Sequence, residues 1–345
     1  MNLEAIDWVA EIGVREAFVW IGLIAGLAYG FTAEQSGFCI RRVVTDWADG
    51  KGFGSLYAWL AAVGIALPIT QWLLWSGRIE PSQMVYFPES LSLWATLLGA
   101  AVFGVGMTLT RGCPARLLVL SATGNLRALF GILVVGFSAY LVFKGIFAAN
   151  RLDAQAIGSM QFPQLPVLSW LGPSLWPILA GALALMALVI AFREGRLMPT
   201  IAGAFIGGIV GVTWWVTALA GGDPFDPIPA TSLSFVVPLG DSLVYAMLAS
   251  GLSANFPIGL VAGVFIGSLI SAAVSGRLMF QTFGSPNDHA RYTLGAVMMG
   301  VGGVFALGCT TGQALVGLTT MSLWSILVTI VIFISGFFGH RLFMR

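Results

Sequence analysis

Apolar runs recur along almost the whole chain, and several reach about 18 residues or more, enough for a helix to cross a hydrocarbon core of roughly 30 Å. Spans are expected at 16–35, 55–76, 93–110, 126–148, 173–192, 198–219, 257–276, 293–308 and 322–341. Lipid offers no partner to a backbone N–H or C=O, so each run must satisfy its own backbone as a helix. The alternating strand-length segments of a membrane barrel are not visible. The expected fold class is therefore an all-α polytopic membrane protein of about nine transmembrane helices. Composition agrees: 58% of the 345 residues are hydrophobic and 9% are charged, against roughly a quarter charged in a soluble domain.

Several other classes fall away on the same grounds. A net charge of +1 gives no footprint for nucleic acid. Three cysteines are too few and too scattered for a disulfide framework. No Cys or His spacing reads as a metal site, and no cofactor motif is present. No short apolar region with a small-residue cleavage site precedes the first span, so no cleaved leader is expected.

Segments near 113–124, 241–254 and 310–320 are apolar but too short or too glycine-broken to cross. Irregular backbone at membrane depth survives only when buried in protein or lining a cavity, so re-entrant or discontinuous helices are expected there. Arginine and lysine set the orientation. Nine spans place Arg41, Arg42, Lys51, Arg111, Arg116, Arg127, Arg193, Arg196, Arg277, Arg291, Arg341 and Arg345 on one face, and Arg15, Arg78, Lys144 and Arg151 on the other. The first face is expected in the cytoplasm, with the N-terminus outside, the C-terminus inside, and the whole chain in an inner (plasma) membrane.

One phrase occurs twice. Gly99, Gly104, Gly106, Gly112 and Cys113 are matched, at a constant displacement, by Gly295, Gly300, Gly302, Gly308 and Cys309. Under the nine-span orientation the two copies run in opposite directions, as in inverted-topology transporters whose sites lie near the bilayer midplane. A single transmembrane domain over 1–345 is expected, with a first repeat half at 16–148 and an inverted second half at 241–341. Glycines also recur at four-residue spacing as Gly22-Gly26-Gly30, Gly203-Gly207-Gly211 and Gly259-Gly263-Gly267. Such stripes serve close helix packing. Beside the cysteine turns, Gly106 and Gly302-Gly303 leave a second reading open, as room for a substrate.

Candidate site residues gather at the breaks. A cysteine in an apolar helix is ordinarily a small hydrophobe. Cys113 and Cys309, however, each follow a glycine (Gly112 and Gly308) where the backbone breaks and free N–H groups favour an anion. Thr310 and Thr311 follow Cys309, either as helix caps or as oxyanion donors. Asn255, Ser253 and Gln313 are polar groups near expected breaks. Arg111 and Arg116 flank Cys113, either snorkelling to the interface or easing an anion's exit. Cys39 ends the first span in Gly37-Phe38-Cys39-Ile40-Arg41-Arg42, as an exit-side thiol or an interfacial one. Glu34 and Gln35 are expected at the interface. His289 and His340 have no legible partner, and Trp72, Trp75, Trp170 and Trp176 fit an interfacial belt. No intramembrane carboxylate pair is visible, which counts against a proton relay.

At these residues the chain resembles the YeeE/YedE family of sulfur-compound membrane transporters. The resemblance rests on Gly37-Phe38-Cys39, on Gly104-x-Gly106 leading to Gly112-Cys113, and on Gly295 through Cys309 with Thr311-Gly312-Gln313 and Leu315-Val316-Gly317-Leu318. It implies thiosulfate uptake, with thiols holding the ion through S–H···S contacts, and delivery to a small cytosolic sulfur-carrier protein. Cys113 and Cys309 would then be the central thiols and Cys39 the cytoplasm-side one. A reading from another class stays open: a membrane-embedded sulfur- or selenium-handling redox protein that uses Cys113 and Cys309 covalently.

Overall fold

The computed structural model describes residues 13–343 apart from 162–165, 168, 170–174 and 222–227. Eight helical stretches among the described residues are long and apolar enough to cross a membrane. They contain α1 (Val14–Ser36) with α2 (Ile40–Asp49), α3 (Gly54–Trp75), and α4 (Leu93–Leu109) with α5 (Pro114–Ala122). The others are α6 (Leu126–Phe143), α8 (Leu175–Glu194), α9 (Leu197–Ala220), α11 (Phe256–Val274) and α13 (Leu323–Phe343). A ninth helix, α12 (Pro286–Phe305), has the length, but its first turns carry Asp288, His289 and Arg291. Short helices α7 (Ala148–Ala156) and α10 (Val236–Leu248) complete the set, with one antiparallel pair of short strands, β1 (Ser90–Ser92) on β2 (Ser159–Gln161). The chain is thus an all-α, multi-pass membrane protein. Trp170 lies outside the described residues, as does the side chain of Trp176, whereas Trp72 and Trp75 are exposed at the end of α3.

Helix pairs are selected by glycine. On α1, a methyl group at Gly26 would collide with the Leu260 carbonyl and lie 2.8 Å from the Val264 nitrogen of α11. On α9, Gly207 meets the Ala62 backbone of α3 in the same way, 2.9 Å from its carbonyl carbon. At such positions no side chain fits, so backbones approach and dispersion contacts replace the hydrophobic force that lipid cannot supply. The duplicated glycines pack on one another across α4 and α12. A methyl at Gly302 would sit 2.6 Å from the Gly99 carbonyl oxygen, and one at Gly106 would sit 2.7 Å from that of Gly295. The room that Gly106 and Gly302 leave is therefore filled by backbone rather than held open for a substrate.

The pairings come in matched sets. α1 packs on α11 as α9 packs on α3; α13 packs on α4 as α6 packs on α12; α2 packs on α13 as α10 packs on α6. Side-chain contacts also sort the helix ends. Gln35 reaches Ser275 (2.7 Å), His340 reaches Asp49 (2.7 Å), and Asn125 donates to Gln281 (2.9 Å). These ends hold Arg41, Arg42, Arg111, Arg116, Arg127, Arg277 and Arg291, and form the arginine-rich end. The β1–β2 pair, the Lys144–Asp241 ion pair (2.9 Å) and a recess lined by Arg15 and Gln83 lie at the other.

Three sequence expectations are corrected here. The short helix expected near 241–254 runs instead from Val236 to Leu248: Phe235 (φ −133°, ψ −19°) is the non-helical residue before it, and a turn closed by the Gly251 N–H on the Leu248 carbonyl (2.9 Å) follows it. Glu34, expected at the interface, is 8% exposed: Ser271 donates to it at 2.5 Å and Arg277 pairs with it at 3.1 Å. The histidines do have partners. His340 pairs with Asp49, and His289 stacks between Phe130 and Phe283.

Candidate functional site

Three helix breaks meet in the interior, and each carries one of the three cysteines. At the first, α1 ends on Gly37 in the left-handed region (φ 65°), and the chain passes extended through Phe38 and Cys39 into α2. At the second, α4 ends at Leu109. The Thr110 hydroxyl donates to the Gly106 carbonyl (3.1 Å) and also contacts that of Gly112 (2.9 Å), closing the last turn on the break. Arg111 then takes φ 54°, and Cys113 is the extended residue before Pro114, which opens α5 at the position where a missing N–H costs nothing.

The third break repeats the second. α12 ends at Phe305, Leu307 takes φ 57°, Gly308 takes φ 156°, and Cys309 follows. Left-handed backbone is uncommon outside glycine and costs of order 1–3 kcal/mol. Finding it at Arg111 and at Leu307, each one residue before a Gly-Cys, marks a repeated turn. The short segment after Cys309 contains a π-helical turn, Gly312–Gly317, a form found often at functional sites. Gln313 reaches back from it to donate to the orphan Ala306 carbonyl at 2.8 Å.

The side chains converge. Cys113 and Cys309 are 2% and 0% exposed, whereas Cys39 is half-buried and lines an open recess at the arginine-rich end with Arg42, Lys51 and Arg196. The thiols of Cys39 and Cys113 face one another within interacting reach. Thr310, from the second Gly-Cys turn, directs its hydroxyl at the Cys113 thiol of the first. The Gly312 N–H donates to Cys309 Sγ at 3.3 Å. Tyr29 lies within electrostatic reach of all three cysteines, with its hydroxyl toward Thr311 and its ring 5.5 Å from that of Phe235. Tyr86, within electrostatic reach of Cys309, packs edge-on against Trp214 (6.3 Å) and belongs to the segment between α3 and β1.

Two features of this cluster suit an anion. Buried polar atoms are almost always paired, yet Thr310 Oγ1 and Gln313 Oε1 are buried with no hydrogen bond of good geometry. Positive charge borders two of the thiols. Arg41 faces Cys39 and Cys113 with its Nε buried and unpaired, and Arg116 donates to the Ala33 carbonyl (3.3 Å) instead of reaching for the interface.

Not every candidate from the sequence joins the cluster. Asn255 caps α11, accepting from the Ile258 N–H at 3.4 Å, and with Ser253 lines the recess at the opposite end beside Arg15. Arg111 turns away from the thiols into a separate recess, with its guanidinium 3.8 Å from Asp288. Tyr29 and Phe235 were missed by sequence reasoning because a single aromatic among many apolar residues carries no periodic signal.

A family model described as sulphur transport matches residues 35–338. Two relatives are similar over nearly their whole lengths. The thiosulfate transporter TsuA of Spirochaeta thermophila is 27% identical over 335 residues, covering 92% of this chain and 96% of its own. The protein of the same name from Escherichia coli K12 is 24% identical over 343 residues, covering 91% of each. With its helix breaks, its buried thiols and this match over most of its length, the chain belongs to the sulphur transport family of multi-pass membrane proteins.

Proposed function

We propose that this protein carries thiosulfate inward across the bacterial inner membrane, passing it along Cys309, Cys113 and Cys39 in that order. The observation that carries the reading is the juxtaposition of Cys39, which lines an open recess, with the buried Cys113, together with a second buried thiol, Cys309, at a break of the same form as that of Cys113. Two relatives named as thiosulfate transporters support the choice of ion.

The chemistry follows from the donors. A thiol is a weak S–H donor and a soft partner for the terminal sulfur of thiosulfate. Weak contacts at successive stations let an ion be held without being trapped, as conduction requires. The Gly312 N–H engages a lone pair of Cys309 and leaves that thiol's proton for the substrate. The Thr310 hydroxyl serves the oxygen-bearing end of the ion. Gly112 and Gly308 supply the backbone of the two turns, and Gln313 holds the second of them closed.

The matched packing of α1 on α11 and α9 on α3 supports an inverted repeat, with the second half beginning at α9, ahead of residue 241. The arginine-rich end is the cytoplasmic one by the positive-inside rule, which puts the N-terminus outside and the C-terminus inside. A dianion entering against an inside-negative potential costs about 2.3 kcal/mol per charge per 100 mV. Removal of the ion by a cytosolic sulfur-carrier protein offsets that cost.

Labelled thiosulfate uptake into proteoliposomes tests the reading. Cys113→Ser and Cys309→Ser are each expected to lower uptake at least tenfold while the protein still purifies as a folded species. Uptake at wild-type rates in both would overturn it. Intact mass after exposure to thiosulfate separates carriage from covalent redox chemistry: unmodified thiols accompany carriage, and a persistent sulfur adduct on Cys113 or Cys309 would mark the redox protein.

A further inference from the structure

The cytoplasmic candidate end holds a second basic recess, separate from the one that Cys39 lines. Its volume is about 180 Å³, and it lies between the end of α4, the start of α6 and the start of α12. Arg111, Arg127 and Arg291 line it together with a single carboxylate, that of Asp288. Arg111 is 3.8 Å from that carboxylate, too far for a hydrogen-bonded pair. Arg127 donates to the neutral side-chain oxygen of Gln281, at 3.2 Å. Tyr292 lines the same recess, within electrostatic reach of Arg41, Arg111 and Arg127. Arg291 donates to the Phe343 carbonyl at the end of α13, so Arg111 and Arg127 are the guanidinium groups that face the recess beside the one carboxylate lining it, that of Asp288.

Positive-inside arginines ordinarily spread along loops and point into water. Arg111, from the break after α4, and Arg127, from the first turn of α6, converge on one space that Tyr292 of α12 also lines. The recess also opens beside apolar surface: Leu126 at the start of α6 and Leu294 on α12 are 44% and 57% exposed. We infer that the recess is a binding site for a phosphoryl oxyanion, held by Arg111, Arg127 and Tyr292. Planar guanidinium forks match phosphoryl oxygens two at a time, so arginine suits this ligand better than lysine. Basic pockets between helices at the cytoplasmic surface are where anionic lipid headgroups dock. The same donors also fit free inorganic phosphate, and the two sources are separable by experiment. The site takes no part in the thiol pathway and does not depend on the ion carried there.

Detergent-purified full-length protein is titrated with phosphatidylglycerol, phosphatidylcholine and inorganic phosphate, and bound ligand is counted by native mass spectrometry alongside thermal unfolding. With phosphatidylglycerol, one bound lipid and a midpoint raised by at least about 2 °C are expected. Arg127→Gln is expected to lower occupancy about tenfold, Arg127→Lys to give an intermediate loss, and Arg78→Gln at the opposite end to leave it unchanged. A response to phosphatidylglycerol alone assigns a lipid headgroup; a response to inorganic phosphate assigns the free ion. Equal occupancy by phosphatidylglycerol and phosphatidylcholine without a phosphate response, or equal binding by Arg127→Gln, Arg127→Lys and the wild type, overturns the site.

Discussion

The Thr310 hydroxyl, which belongs to the second Gly-Cys turn, faces the Cys113 thiol of the first. The second turn therefore supplies a group to the cysteine of the first. The hydroxyl is buried without a hydrogen bond of good geometry, an arrangement that persists where a ligand completes it. Thr310→Val keeps the shape and removes the donor. Loss of one hydrogen bond to a charged group is worth about 1.5–3 kcal/mol, so thiosulfate uptake is expected to fall about ten- to a hundredfold. Thr310→Ser should retain most of it. Equal uptake by the valine variant and the wild type would remove Thr310 from the site.

Glycine packing gives a sharp contrast between neighbours. Gly207 abuts the Ala62 backbone, whereas an added methyl at Gly208 meets nothing within 4 Å. A backbone cannot swing aside as a side chain can, so Gly207→Ala is expected to destabilise by about 1–3 kcal/mol through overpacking. Gly208→Ala should stay within about 0.5 kcal/mol of the wild type. Thermal unfolding of the two variants in one detergent checks this pair, and equal midpoints would refute the packing argument.

The left-handed turn at Leu307 tolerates some side chains and not others. A β-branched residue there is a genuine outlier, so Leu307→Val is expected to cost about 1–3 kcal/mol. Asparagine visits this region more readily. Leu307→Asn should therefore retain more uptake per folded molecule than Leu307→Val does. The reverse order would mean that the side chain, not the backbone, governs the turn.

Glu34 joins α1 to α11 through Ser271 and Arg277. Glu34→Gln leaves Arg277 without its carboxylate. Arg277 is 44% exposed, so the cost falls well short of the about 3–5 kcal/mol seen for a fully buried pair, and about 1–2 kcal/mol is expected. Arg277→Gln should cost more than Glu34→Gln, since it strands the buried partner. Urea or thermal unfolding ranks the two, and the opposite ranking would show that the pair is not the link between these helices.

Thiol accessibility reports the order of the cysteines. Cys39 lines an open recess, whereas Cys113 and Cys309 are almost fully enclosed. A membrane-impermeant maleimide is expected to label Cys39 first, and from the arginine-rich face only. Labelling of Cys309 ahead of Cys39 from that face would invert the proposed direction.

The class of fold was legible because lipid demands it: long apolar runs, few charges and no alternation leave helices as the only way to satisfy the backbone. The breaks were legible too, since Gly112-Cys113 and Gly308-Cys309 interrupt apolar runs at equal spacing. The bounds of α10 were less so, because Ser232 to Phe235 and Gly251 do not announce which side of the segment stays helical. Glu34 was misjudged for a related reason. A carboxylate at a span's end looks interfacial until Ser271 and Arg277, far along the chain, are seen to enclose it. Arg127 and Arg291 counted in the sequence only toward orientation, and their convergence on one recess is a product of how α6 and α12 pack.

What the sequence alone determined is therefore everything that depends on local physical chemistry. It set which segments leave water, where the backbone breaks, and that cysteines stand at equivalent breaks. Tertiary structure decided which breaks meet. Thr310 came to face Cys113 because glycine backbones on α4 and α12 bring their turns together, and Cys39 met Cys113 where α1 packs on α5. Pairings of that kind follow from shape complementarity across the bundle, which no periodicity along one helix encodes.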